Sequence, residues 1–120
     1  MARYTHLPIY KLTYDLLLRI MVATKDFPRD YKYTLGQKMK DEVVELVVLI
    51  YRANSQENRP SHIINILERI QVVQLLVRLA HDMRILSRGH YVGLAEMTDK
   101  LRRAGHPHHR LGAGQSQNSP

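Results

Sequence analysis

The sequence predicts an all-α protein, an antiparallel up-down bundle of four helices. Three observations predict it. Apolar residues recur at spacings of three and four along four separate stretches. Capping and breaking residues fall between those stretches. The valine-rich runs are too long for strands and are flanked by helical stripes. Amphipathic helices joined by short loops pack as antiparallel neighbours.

The first helix is expected over about residues 8–24. Pro8 suits a first turn, where its missing N–H has no partner to lose. Ile9, Leu12, Leu16, Ile20 and Ala23 form the stripe, and Phe27-Pro28 ends it, because proline pushes the preceding residue out of the α region. The second helix, about 34–53, opens on Thr34-Leu35-Gly36-Gln37, which has capping-box spacing. Met39, Val43, Leu46, Val47, Ile50 and Tyr51 form its stripe, and Asn54 suits its end. Gly36 costs a helix about 1 kcal/mol relative to alanine; close packing against a neighbour would explain it. Asn54 to Arg59 is polar and reads as a loop.

The third helix is expected over about 60–86, a length of roughly 40 Å. The fourth spans about 88–104, with Ser87 as its cap and Tyr91, Leu94, Ala95, Thr98 and Leu101 as its stripe, weakened by Gly93. Residues 1–104 thus make one domain. Residues 105–120, GHPHHRLGAGQSQNSP, read as a disordered polar tail.

The length of 120 residues fits one domain with an apolar core. An apolar share of 44% and a charged share of 24% exclude a disordered or collagen-like chain. The apolar run from Leu46 to Tyr51 falls far short of the ~20 residues a membrane span needs. With no cysteine, there is no disulfide, thiolate metal site or cysteine nucleophile. The amino terminus lacks the apolar segment of a signal peptide, so a reducing cytoplasm is expected. A net charge of +7 points to anionic partners, nucleic acid or an acidic protein, or else serves solubility.

Two helices carry more apolar surface than one bundle needs. Val72, Val73, Leu75, Leu76, Val77, Leu79, Ala80, Met83 and Leu86 cover an arc of roughly 200°. Burial inside a single bundle takes little more than ~100°. Leu17, Leu18, Met21 and Val22 widen the first helix in the same way. The surplus predicts a homo-oligomer with these helices at its contacts; the alternative is a tightly wrapped monomer.

The rest of the third helix is polar. Gln71, Gln74, Arg78 and His81 follow a 3-4-3 spacing, with Asp82 alongside. This is either a solvated face or the lining of a groove or pore, where Arg78 would meet phosphates. A second basic group, Arg84, Arg88, Lys100, Arg102, Arg103 and Arg110, faces only Glu96 and Asp99 in sequence. Its cations near the end of the fourth helix also suit the helix dipole. A third, Lys25, Arg29 and Lys32, is offset by Asp26 and Asp30. The tyrosines can stack on bases or fill core and interface.

Chemistry-bearing motifs are lacking. His106-Pro107-His108-His109 has no carboxylate or cysteine nearby, so no metal is expected there. Glu42 and Glu45 lack the histidine that a Glu-x-x-His bundle site requires. There is no H-E-x-x-H, P-loop, G-x-G-x-x-G or G-x-S-x-G. His81-Asp82 is no triad fragment, its neighbours in sequence pointing in two directions. Neither an enzyme nor a cofactor is expected.

Several stretches resemble one known family. These are Pro8 to Leu17, Phe27-Pro28-Arg29 followed by Lys32-Tyr33-Thr34-Leu35-Gly36, Leu49 to Asn54, Val77 to Asp82, and Leu86-Ser87 with Tyr91. They resemble the accessory variability determinant (Avd) proteins of diversity-generating retroelements. The resemblance implies a four-helix bundle that assembles as a barrel-like homopentameric ring. It implies a basic surface binding the element's reverse transcriptase and its template RNA, or an RNA–DNA hybrid. That complex makes mutagenised cDNA from a template repeat, which replaces a variable repeat in a target gene; the accessory protein contributes no catalytic residue. Arg78 matches a third-helix position of the family pattern and heads the expected binding set, followed by Arg52, Arg84 and Arg88, with Arg102 and Arg103. Arg29 is expected to bond the carbonyls that end the first helix.

The chain departs from the pattern at its end. The family continues the fourth helix through a G-R-x-L-G-G-W-like segment, where this chain has Pro107, only an echo in Arg110-Leu111-Gly112-Ala113-Gly114, and no tryptophan. The same stretches are also similar to a sister family, the proteins encoded in intervening sequences of large-subunit ribosomal RNA genes. That resemblance implies ribosomal RNA as partner. A purely structural oligomer is the third reading.

Overall fold

The computed structural model describes residues 8–55 and 59–105, apart from the side chains of Pro8, Asn54, Ser55, Arg59 and Pro60. The expected tail beyond Gly105, with its histidines, lies outside the described residues. Four long helices and one single-turn helix form the fold: α1 (Pro8–Lys25), α2 (Arg29–Lys32), α3 (Leu35–Ser55), α4 (Arg59–Asp82) and α5 (Arg88–Ala104). The described residues contain no strand.

The long helices close a four-cornered ring. α1 packs on α3 and α5, and α4 packs on α3 and α5. Hence α1 and α4 occupy opposite corners, as do α3 and α5. The turns reverse the chain each time. Thr24 and Phe27, at the end of α1, lie against Gly36 at the start of α3. His81, at the end of α4, stacks on Tyr91 in α5. Gly105 lies near Ile9 and Leu67 at the opposite end. One end of the bundle, here the loop end, therefore collects both the α1–α2–α3 turn and the α4–α5 turn.

The core brings together much of the predicted stripes, Leu16 and Ile20; Met39, Val43, Leu46 and Ile50; Val73 and Val77; Leu94 and Leu101, and adds Ile66 and Ile70 from the first half of α4, whereas Tyr51, expected in the second stripe, is 48% exposed. Each core side chain contributes about 1.5–3 kcal/mol on burial. Thr13, Thr24 and Thr98 are buried among them. Their hydroxyls donate to the carbonyls of Ile9 (2.7 Å), Ile20 (2.8 Å) and Leu94 (3.0 Å). Each polar atom is thus satisfied within its own helix.

The third predicted helix does not continue to Leu86; α4 stops at Asp82. Arg84 takes φ 62°, the left-handed region usually given to glycine. Arg84 N–H then bonds the His81 carbonyl, and Ile85 N–H bonds the Ala80 carbonyl, both at 2.9 Å. This is the Schellman pattern, and it turns the chain so that Leu86 is buried beneath the reversal.

The first turn also differs from expectation. The Thr34 hydroxyl donates to the Asp30 carbonyl, and Gln37 reaches forward to Asp41 rather than back to Thr34. The single turn α2 fills the space a plain loop was expected to occupy. Helix α3 runs through Asn54 to Ser55, and α4 already includes Arg59, so the expected loop is shorter. The two glycines have packing reasons. A Cβ on Gly36 would lie 3.3 Å from the Phe27 ring and 3.4 Å from the Tyr31 carbonyl. A Cβ on Gly93 would lie 2.5 Å from the Arg19 guanidinium, which crosses the bare α5 backbone.

Candidate nucleic-acid interface

The loop end carries the exposed cations Lys25, Arg29, Arg84 and Arg88, with the half-buried Lys32. Three carboxylates share that end. Asp82 is taken by Arg78, at 3.6 Å one helical turn away. Asp26 and Asp30 form no ion pair among the described residues. Five cations thus stand against two carboxylates that neutralise none of them by contact. Such a patch attracts anions over a Debye length, about 8–10 Å at ordinary salt.

The opposite end is wired differently. Asp99 accepts from Arg102 at 2.5 Å and also binds Arg103. The hydrogen bond from Arg102, with the positive charges of Arg103 and Arg102, holds the Asp99 carboxyl below its ordinary range. Both arginines are therefore partly neutralised before any ligand arrives.

The six sequence-predicted arginines do not form one site. Arg84 and Arg88 flank the α4–α5 turn at the loop end, and Arg78 lies just below them on α4. His81 stands three residues after Arg78, and Tyr91 three residues after Arg88, so the stacked pair of rings sits between these arginines. Asp82 Oδ1 lies 3.6 Å from His81 Nδ1, beyond hydrogen-bond range. Arg52, Arg102 and Arg103 lie toward the far end, and Arg52 is on α3, diagonally across from α5. Arg29 is exposed and makes no bond to the end of α1 among the described residues, contrary to the structural role expected for it.

Two of the tyrosines that the sequence offers for base stacking stand out at this end. Tyr31 is exposed and Tyr33 is 70% exposed, both among the cations of the α1–α2–α3 turn. The sequence carried only a weak signal for singling them out, two rings and two cations within Arg29-Asp30-Tyr31-Lys32-Tyr33.

The remaining buried charge is architectural. Glu42 on α3 accepts from Arg69 on α4 at 2.7 Å and pairs with Lys38 at 2.9 Å. Burial pushes the Glu42 carboxyl up, but the hydrogen bonds and charges of Lys38 and Arg69 outweigh it and hold the group below its ordinary value. An ionised carboxylate saturated by two cations joins α3 to α4 and is no proton-transfer group. Among the described residues, no group of three or more His, Asp or Glu side chains could hold a metal ion. No helix among them is long and apolar enough to cross a membrane.

Fold and surface together define a class: a basic antiparallel four-helix bundle with a cluster of five cations at one end that form no ion pair among the described residues. The particular family follows from comparison with known proteins. The bAvd-like family matches the chain over residues 7–105, and the chain belongs to it, the bacterial accessory variability determinant proteins. No curated protein matches the sequence.

Proposed function

We propose that this chain is a non-catalytic accessory protein of a diversity-generating retroelement. In this reading it binds the element's reverse transcriptase and template RNA through its basic surface, supporting mutagenic cDNA synthesis and retrohoming in the cytoplasm. Family membership over residues 7–105 carries the proposal. The unpaired cations of the loop end support the RNA contact, because neutralising phosphates there releases counterions. Arg84 and Arg88, with Arg78 beside them, are the expected contacts; Arg52, Arg102 and Arg103 would serve a different face.

The working form is an oligomer, a pentamer by family resemblance. Two exposed stripes support assembly: Leu18, Met21 and Val22 on α1, and Leu75 and Leu79 on α4 with Met83 just past its end. They lie on opposite corners of the bundle. Pairing one stripe with the other from copy to copy is a head-to-tail contact, the kind that builds a ring when the rotation between copies closes.

Capture of the protein from its native host, with and without nuclease, tests the reading. A reverse transcriptase recovered with one discrete RNA is the expected result. Ribosomal RNA alone would favour the intervening-sequence reading, and recovery of neither would leave an oligomer whose charge serves solubility.

A further inference from the structure

We infer that the α1–α2–α3 turn is a contact for single-stranded RNA: unpaired bases stack on Tyr33 and Tyr31, while phosphates lie against Lys25, Arg29 and Lys32. The inference rests on the RNA-binding reading above and gives it a place and a mode.

Exposure is the first observation. Tyr33 is 70% exposed and Tyr31 36%, while Phe27 of the same turn is 5% exposed. Phe27 is the only phenylalanine of the chain and it is buried here. The turn thus sorts its aromatic rings, one inward and two outward.

Rigidity is the second. Phe27 N–H bonds the Thr24 carbonyl at 3.1 Å, and Tyr31 and Lys32 N–H both bond the Pro28 carbonyl at 2.9 Å. The Thr34 hydroxyl bonds the Asp30 carbonyl at 3.0 Å. Gly36 lets the Phe27 ring and the Tyr31 carbonyl press onto α3, so that even a methyl group there would lie 3.3 Å from the ring. The outward tyrosines therefore hang from fixed backbone, so ordering them on binding loses little entropy.

Charge is the third. Residues 29–33 read Arg-Asp-Tyr-Lys-Tyr, so each ring has a cation within two residues of it in the chain. Lys25, Arg29 and Lys32 have no ion-pair partner among the described residues, and neither have Asp26 and Asp30, so the turn keeps one positive charge in excess with its cations free to meet phosphates. Stacking on a ring needs an unstacked base, which a duplex does not offer. A one-turn helix is also too short to follow a groove. The occupant that uses both rings and cations is therefore single-stranded.

The test uses the full chain and fluorescence anisotropy with a labelled oligouridylate and an RNA duplex of equal length. The wild type should prefer the oligouridylate. The Tyr31→Ala/Tyr33→Ala double variant should bind it about tenfold or more weakly, with an unchanged salt slope, since tyrosine neutralises no phosphate. Tyr33→Phe should bind as the wild type does. Arg29→Gln/Lys32→Gln should lower the slope. Circular dichroism and sedimentation of every variant complete the set.

An unchanged affinity in the double-alanine variant, with wild-type binding intact, overturns this inference and leaves RNA binding elsewhere on the bundle. Absence of binding in the wild type overturns both. A double variant that binds weakly because it no longer assembles makes the tyrosines subunit contacts, and one that binds RNA normally but loses the reverse transcriptase makes them a protein contact. Either of these also overturns the inference.

Discussion

The imidazole of His81 lies flat against the phenol ring of Tyr91, with centroids 4.0 Å apart and planes 19° from parallel. The pair clasps the end of α4 to the second turn of α5, directly beyond the chain reversal at Arg84. Nothing else so specific joins these two ends: Leu86 fills the space beneath the turn, and Ser87 caps α5 by accepting from His90 N–H at 3.2 Å.

Tyr91→Ala is expected to destabilise the fold by about 1–3 kcal/mol, the sum of the stack and of lost apolar contact. Tyr91→Phe keeps the ring and should stay within about 0.5 kcal/mol of the wild type. Urea unfolding of both variants reads the difference. Equal midpoints for Ala and Phe would show that the stack contributes nothing.

Arg84 sits at φ 62°, where a side chain costs about 1–2 kcal/mol. Arg84→Gly should therefore stabilise the protein by about 0.5–1 kcal/mol, while Arg84→Val should destabilise it. The conformation complicates any test of Arg84 as an RNA contact. Arg84→Asn removes the charge and tolerates the left-handed region, so a loss of affinity in that variant, with the melting temperature unchanged, belongs to the charge.

The bundle was legible in the sequence because apolar residues three and four apart mark each helix and turn toward the core, with Tyr51 the exposed exception. The end of α4 was not. Leu79, Met83 and Leu86 continue the helical spacing through the break, and arginine occupies the position where glycine would have announced it. The cationic end was only half legible. A count of charges cancels Arg29 and Lys32 against Asp26 and Asp30, yet none of them pair in space. The same count leaves Arg102 and Arg103 in surplus, although both are held by Asp99. Pairing depends on which side chains reach each other, and that is set by helix ends the sequence does not fix.

Glycine substitutions separate helix propensity from packing. A Cβ on Gly89 would meet nothing within 4 Å, and its φ is not positive. Gly89→Ala should stabilise by about 0.5–1 kcal/mol. Gly36 is buried against Phe27 and the Tyr31 carbonyl. Gly36→Val should push the α1–α2–α3 turn off α3 and destabilise by about 1–3 kcal/mol. Thermal melts with opposite signs for the two variants are the expected result; two shifts of the same sign would contradict this reading.

Acid should weaken the α3–α4 joint. Lys38 and Arg69 hold the Glu42 carboxyl below its ordinary range in the folded chain, so the unfolded chain binds the proton more readily. A group depressed in this way gives its full stability above the unfolded value and loses it as pH falls through the folded one. Glu42→Gln should therefore cost about 1–3 kcal/mol at neutral pH, leaving Arg69 without its carboxylate. The gap to the wild type should be flat above about pH 5 and close below about pH 4. Urea unfolding across that range measures it, and a gap that widens in acid would show that burial, not the two cations, dominates the carboxyl.

Assembly through α1 and α4 makes a demand that other modes of association do not. The stripe of Leu18, Met21 and Val22 and the stripe of Leu75, Leu79 and Met83 lie on opposite corners, so each copy has two different faces. Leu18→Asp/Val22→Asp removes one face, and Leu75→Asp/Leu79→Asp removes the other. All four positions are exposed or nearly so in the single chain, so each variant should keep its helical circular dichroism. Each alone should sediment as a monomer, because every contact in a head-to-tail ring needs both faces. Mixed, they should form a one-to-one heterodimer and go no further. The intact α4 of the first variant still fits the intact α1 of the second, and the remaining face on either side is spoiled. If like faces pair instead, a variant alone would dimerise through its intact stripe, Leu75→Asp/Leu79→Asp where α1 pairs with α1 and Leu18→Asp/Val22→Asp where α4 pairs with α4. Sedimentation of the two variants, separate and mixed, distinguishes the arrangements.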